Sequence, residues 1–249
     1  MLKRTAKINF DLLNEYSRAL KIGVNLWHIR KLKNITQKEL SDKAKTTQNI
    51  ISKIEDGTYN PWSELVLKLA NALWVPESLL LTQNIDWQLN EIIDVILKKA
   101  KSIWKEWIDI LWILKLLYFI DLEYSNIKWF LLRNTEYIRY YAWPYDEFAY
   151  KSLHDTNNAI FYNKIDLLNK DDTEYTWFEL KNWWMKKYSI LNNEDVKIIN
   201  KVLDYYIKYD SIQLKELSYE TTPMKIIGAT IWWNEWFNQV ILWHWKVRL

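Results

Sequence analysis

The sequence predicts a mainly α protein: a five-helix unit followed by a larger helical domain with minor β structure. Three observations carry that prediction. From Leu26 to Leu81 apolar residues recur at helical spacing, and turn residues cut the run into short pieces. Beyond residue 98, long apolar helical patterns return, as in "IDILWILKLLYFIDLEY", with only short stretches rich in β-branched and aromatic residues between them. The length, 249 residues, suits two modest domains rather than one.

Residues 1–21 read as a helical arm, with Ile8, Phe10, Leu12, Leu13 and Tyr16 in helical pattern. The arm either offers a dimer surface or caps the unit that follows. That unit spans residues 22–81. Its first helix covers about Asn25 to Lys33, with Leu26, Ile29 and Leu32 on one side. Thr36 caps the second, "TQKELSDKA", and Glu39 three residues later completes a capping box. Thr47 caps the third, "QNIISKIED", which Gly57 ends as a left-handed residue. Asn60-Pro61 turns into "SELVLKLANAL", and Pro76 opens a last short helix, "PESLLL". Leu40, Ala44, Ile51 and Ile54 would face inward, and Ala44 is small where two helices cross at a three-to-four-residue turn. This is helix-turn-helix geometry.

Residues 82–97, "TQNIDWQLNEIIDVIL", read as a connecting segment to a second domain at 98–249. Leu111, Leu114, Leu117 and Tyr118 give its central helix a core-forming spacing. Phe130 to Tyr141 reads as extended, and "AIFYNKIDLL" and "EYTWFEL" as a small hairpin or two. In "NNEDVKIINKVLDYYIKY", Asn192 or Asn193 caps a helix whose buried stripe is Val196, Ile199, Val202 and Leu203. Ser211 is the expected cap of the short helix "SIQLKELSYETT".

Composition excludes several function classes. Cysteine is absent, which removes disulfides, thiolate metal sites and cysteine nucleophiles. His28, His154 and His244 are far apart in sequence and show no metal-ligand spacing. Asp121, Glu123, Asp146 and Glu147 are acidic, but no histidine motif, phosphate loop or recognisable nucleophile accompanies them, so neither an enzyme nor a cofactor is expected. The longest apolar run, Ile110 to Ile120, is broken by Lys115, and Lys3, Arg4, Lys7 and Asp11 interrupt any leader core. A cytoplasmic protein without membrane contact is expected.

Two residue types are out of proportion. The chain holds 17 tryptophans and 3 glycines, where a globular chain carries roughly 7% glycine. Together they make 20 of 249 residues, an ordinary glycine share. Tryptophan also stands where glycine is usually needed, as at Trp74 in "NALWVP" and Trp143 in "YYAWPYD", and in the pairs Trp183/Trp184 and Trp232/Trp233. The pattern is that of a lineage decoding UGA as glycine, with the gene translated as if UGA were tryptophan. The alternative is an aromatic-rich binding surface. Until the two are separated, tryptophan clusters are not read as stacking platforms.

Charge is uneven as well. Residues 1–75 carry 13 Lys/Arg against 7 Asp/Glu, while the rest of the chain is net acidic. A local basic excess suits a polyanion.

Residues 22–81 resemble the phage-repressor helix-turn-helix of the Cro/cI-like XRE family, through "TQKELSDKA", "QNIISKIEDG", "NP" and "LKLANALWVP". The resemblance departs at Lys45, Trp62 and Trp74; glycine is usual at the first and third. It implies that the third helix enters the DNA major groove. Gln48, Asn49, Ser52 and Lys53 then lie on its outer face near the amino end. Amides can bond adenine N6 and N7 in bidentate fashion, and Lys53 can bond guanine or a phosphate. Gln37 would set an amide against the phosphate backbone, with Thr47 and Thr58 adding backbone contacts, while Glu55 is structural. One such unit covers half an operator, so a homodimer on double-stranded DNA is expected.

The second domain resembles the Panacea domain, the SocA-like antitoxin family that includes phage-associated GepA-type proteins. The residues that carry this are "LKLLYFIDLEY", "YIRYYAWPYDEFAY", "LNNEDVKIINKVLDYY" and "LKELSYETTP". The resemblance implies a domain that neutralises a cognate toxin protein by direct contact. Lys115, Leu116, Tyr118, Asp121, Tyr141 and Pro144 match the family pattern and are the candidate toxin-binding residues, with fold maintenance as their alternative role. The combined expectation is an antitoxin that represses its own operon. Two rivals stay open: a phage-derived regulator whose second domain senses another partner, and a helix-turn-helix fused to a hydrolase.

Overall fold

The structure, a computed structural model, describes residues 10–82, 85–105, 108–133, 135, 137–140, 143–155, 162–168, 174–180, 187–225 and 239–241. It is mainly α, with short strands in the second half. The chain forms two compact units, Met1–Ile85 with Trp184–Ser189, and Asp86–Trp183 with Ile190–Leu249.

The first unit holds α1 (Phe10–Leu32), α2 (Gln37–Lys43), α3 (Gln48–Glu55), α4 (Ser63–Leu73) and α5 (Glu77–Leu81). The expected helix at Asn25 to Lys33 is the last third of α1. No proline interrupts residues 10–32, so the helix runs on without a break. Gly23 lies where α1 crosses α3: a Cβ there would stand 2.1 Å from the Ile54 carbonyl oxygen. Only a residue without a side chain allows that approach. Thr36 and Glu39 form the expected capping box, with the Thr36 hydroxyl accepting from Glu39 N and the Glu39 carboxylate accepting from Thr36 N. Leu40, Ala44, Ile51 and Ile54 are buried, at 2% exposure or less. Burying an isoleucine side chain is worth about 2 kcal/mol, so the inner face of α3 is strongly specified. Asn25 closes the unit, its Nδ2 donating to Leu80 O at 3.2 Å and Thr82 O at 2.9 Å.

The second unit begins with α6 (Trp87–Ser102), most of which falls in the stretch read as a connecting segment. Instead of linking, α6 buries Leu89, Ile92, Ile93 and Ile96. The central helix is α7 (Ile110–Lys128). Leu114, Leu117 and Tyr118 are buried as expected, but Leu111, in its first turn, is 40% exposed. The remaining helices are α8 (Glu147–His154), α9 (Asn193–Tyr206) and α10 (Ser211–Tyr219). Asn192 caps α9, and its buried stripe takes Ile198 in place of the half-buried Val196. Asp210, not Ser211, caps α10, because its carboxylate accepts from Gln213 N while the Gln213 side chain accepts from Asp210 N. Two small antiparallel sheets complete the unit. Strands β1 (Ile108–Asp109), β4 (Tyr162–Leu168) and β5 (Glu174–Leu180) lie in the order β1-β5-β4; β2 (Tyr137–Tyr140), β3 (Trp143–Tyr145) and β6 (Gln239–Ile241) in the order β3-β2-β6. The expected hairpin is β4 with β5, Ile165 opposite Trp177. No helix among the described residues is long and apolar enough to cross a membrane.

Candidate nucleic-acid interface

The geometry of α3 follows from its two ends and its inner face. Thr47 caps the start, its hydroxyl accepting from Ile50 N at 3.3 Å. Gly57, at φ +70°, ends it with the paired bonds Gly57 N to Ile54 O and Thr58 N to Lys53 O. With Ile51 and Ile54 fully buried, the helical repeat leaves Gln48, Asn49, Ser52 and Lys53 on the other side. Gln48, Asn49 and Lys53 are exposed and Ser52 is half-buried. The two amides stand in the first turn, where unpaired backbone N–H groups and the helix dipole favour an anion.

The outer residues divide by what already holds them. Gln48 and Asn49 project into solvent. The Ser52 hydroxyl makes a long bond, 3.4 Å, to the Asp56 carboxylate. Thr58 is exposed and its hydroxyl donates to Lys53 O at 3.1 Å. Gln37 is half-buried and its Nε2 donates to Glu55 Oε2 at 2.9 Å. That bond braces α2 against α3.

A buried ion pair sets the orientation of α3. Arg30 on α1 reaches Glu55 on α3 through two bonds, Nε to Oε1 at 2.6 Å and Nη2 to Oε2 at 2.7 Å. The third guanidinium nitrogen donates to Ile35 O at 2.9 Å. Arg30 thus ties α1 to α3 and to the loop that precedes α2. Glu55 is structural, as its place in the sequence suggests, and the signal for Arg30 is a basic residue on an otherwise apolar stripe of α1.

In front of this network lies an open groove of about 710 Å³, lined by Lys31, Thr36, Gln37, Lys38 and Gln48 among others. Lys31 and Lys38 were not singled out from the sequence. They flank the amino ends of α2 and α3 with positive charge, Lys38 also pairing with Asp42 at 2.6 Å. The groove is also lined by Glu55 and the exposed Asp56, so its rim carries both signs of charge; the exposed amides and lysines on a helix with a fixed inner face make a surface suited to a nucleic-acid duplex.

The candidate toxin-binding residues of the second unit lie in its interior, which corrects their assignment to a contact surface. Lys115 is 3% exposed, and Leu116, Tyr118 and Asp121 are fully buried. Lys115 Nζ donates to the carbonyl of Pro144, itself buried, at 3.2 Å, and burial, helped by the nearby Lys215 charge, lowers the ammonium to about 7. Tyr118 shares a 2.7 Å hydrogen bond with Thr221, and burial pushes its phenol up to about 12. Asp121 accepts from Arg133 Nη2 and from the Tyr137 hydroxyl, both at 2.7 Å, and Asp146 takes the other arm of Arg133 at 2.8 Å. Burial opposes the Arg133 charge, but Asp121, Tyr137 and Asp146 hold the guanidinium well above its ordinary value. These side chains lock α7 to the loop and strand that follow it. Tyr141 lies outside the described residues.

Comparison with known proteins bears on the first unit. Residues 23–84 match the family model described as a helix-turn-helix domain. One solved structure, the restriction-modification controller protein C.AhdI from Aeromonas hydrophila, is 28% identical, the match covering 26% of this chain and 98% of that one, with a TM-score of 0.26. A search of curated proteins found no match. Residues 23–84 thus match a helix-turn-helix domain, and the exposed amides stand on α3 within that stretch.

Proposed function

We propose that the chain is an antitoxin and transcriptional repressor: the first unit binds operator DNA as a homodimer, and the second captures a toxin protein. The observation that carries the DNA half is the exposed pair Gln48 and Asn49 at the amino end of a helix whose inner face is fully buried. In this reading the two amides bond adenine edges in the major groove. Lys53, Thr58 and Thr47 contact the phosphate backbone, and two copies place their α3 helices about 34 Å apart on successive turns.

The toxin half rests on the resemblance of "LKLLYFIDLEY" and the blocks that follow it to SocA-like antitoxins. Capture then uses surface residues of the second unit, since the matched residues serve its interior. No catalytic step is assigned to either unit. If toxin and operator influence each other's binding, the effect is equal in both directions, because linkage is reciprocal.

Two measurements test the proposal on the full chain. Fluorescence anisotropy with the DNA upstream of its own gene should show sequence-specific binding. Q48A and N49A should each lose roughly 1–3 kcal/mol and relax sequence choice, whereas K53A should weaken all DNA alike and lower the salt slope by about one. Unchanged binding in Q48A and N49A removes α3 as the reader. Co-expression with the adjacent open reading frame tests the antitoxin: growth arrest relieved by this protein is expected, and a harmless neighbour overturns that half.

A further inference from the structure

Among the described residues five non-glycine positions have a left-handed backbone, and three of them are tryptophan: Trp74 at φ +54°, Trp104 at +64° and Trp129 at +68°. Tryptophan is 17 of 249 residues, so its share of these positions is far above its share of the chain. A bulky side chain at positive φ crowds its own carbonyl, and the conformation is native mainly to glycine and, less often, asparagine.

All three positions end helices. After α4, Trp74 N donates to Asn71 O and Val75 N to Ala70 O, both at 3.1 Å. After α6, Trp104 N donates to Lys101 O at 3.1 Å and Lys105 N to Ala100 O at 3.0 Å. This pair of bonds is the Schellman motif. Gly57 closes the same motif after α3, with Gly57 N to Ile54 O and Thr58 N to Lys53 O, both at 2.9 Å. Trp129 ends α7 in the simpler form, its N donating to Ser125 O at 2.9 Å. Two of the tryptophans therefore do what a genuine glycine does elsewhere in the chain.

Nothing repays the crowding. The three residues are 86%, 92% and 80% exposed, so their rings bury little surface. An aromatic binding surface would account for exposed indoles, but it gives no reason for them to gather at left-handed helix ends.

We infer that the native protein carries glycine at positions 74, 104 and 129. The composition raised glycine recoding for the chain as a whole; the backbone now assigns it to particular codons. Those three codons are UGA, and the source cell reads UGA with a glycine-charged tRNA. It follows that the groove lined by Lys43, Lys45, Lys68, Asn71 and Trp74 has no indole wall in the native protein and is not an aromatic cage.

The test is to read the three codons in the gene and to measure the masses of the matching peptides from the protein purified from its source. UGA at all three with glycine in the peptides is expected; UGG at any of them, or a tryptophan-containing peptide, overturns the assignment there. A recombinant arm uses the full chain as translated here. W74G, W104G and W129G should each raise the thermal midpoint by roughly 2–4 °C. W112G should lower it, because Trp112 is fully buried and its indole donates to Tyr209 O at 2.8 Å. Lower midpoints in the first three variants count against the inference.

Discussion

Both oxygens of Glu55 are held by Arg30, in a pair whose side chains are 6% (Arg30) and 3% (Glu55) exposed. Burying two charges costs solvation, so such a pair does little for net stability, yet breaking it strands one charge in the interior. E55A is therefore expected to destabilise the first unit by about 3–5 kcal/mol, seen in urea unfolding. Replacing both residues with methionine should recover most of the loss. If E55A is neutral, the pair does not hold α3.

Gly23 supplies a test that leaves charge untouched. In G23A the new methyl group would meet the Ile54 carbonyl at 2.1 Å, and because the obstacle is backbone, α1 and α3 must separate. Overpacking of this kind costs roughly 1–3 kcal/mol, occasionally more. Operator affinity should fall with it, since α3 loses its seat. Wild-type stability in G23A would show that the two helices do not approach this closely.

His28 predicts an acid-sensitive first unit. Its Nδ1 lies 2.8 Å from the Ser189 hydroxyl, and burial lowers the imidazole from 6.5 to about 4. Between those values the unfolded chain takes up a proton that the folded chain refuses, so stability is complete above about 6.5 and is lost as pH falls toward 4. H28Q should flatten the dependence between pH 6.5 and 5, measured by chemical denaturation at each pH. An unaltered slope in that window would place the sensitivity elsewhere.

Asp121 carries the matching prediction for the second unit. D121N keeps the shape but leaves Arg133 with Asp146 as its remaining carboxylate. A loss of about 3–5 kcal/mol is expected for breaking a buried pair. Operator binding should change little, so the two readouts together distinguish a fault in this unit from general unfolding.

The first unit was legible because its signals are local. Thr36 with Glu39, Thr47 and Gly57 are cap residues within a turn of what they satisfy, and the amphipathic pattern of α3 settles which face holds Gln48 and Asn49. The bond from Gln37 to Glu55 was not legible, because a glutamine at a helix start serves a phosphate or a neighbouring carboxylate equally well, and only the fold brings Glu55 within 2.9 Å. In the second unit, Asp210 with Gln213 has capping-box spacing, so that helix start was readable and was set one residue late. The Asp121, Arg133, Tyr137 and Asp146 network was not readable, since it joins a helix to a loop and a strand at no regular period. Of its four members only Asp121 was expected to touch a partner, and a motif shared across a family marks common scaffolding as readily as common function.

The unbroken run of α1 from Phe10 to Leu32 makes it a stiff rod, seated on α3 at Gly23 and bolted to it again at Arg30. Through those two contacts, a displacement of the rod is passed to the helix that carries Gln48 and Asn49.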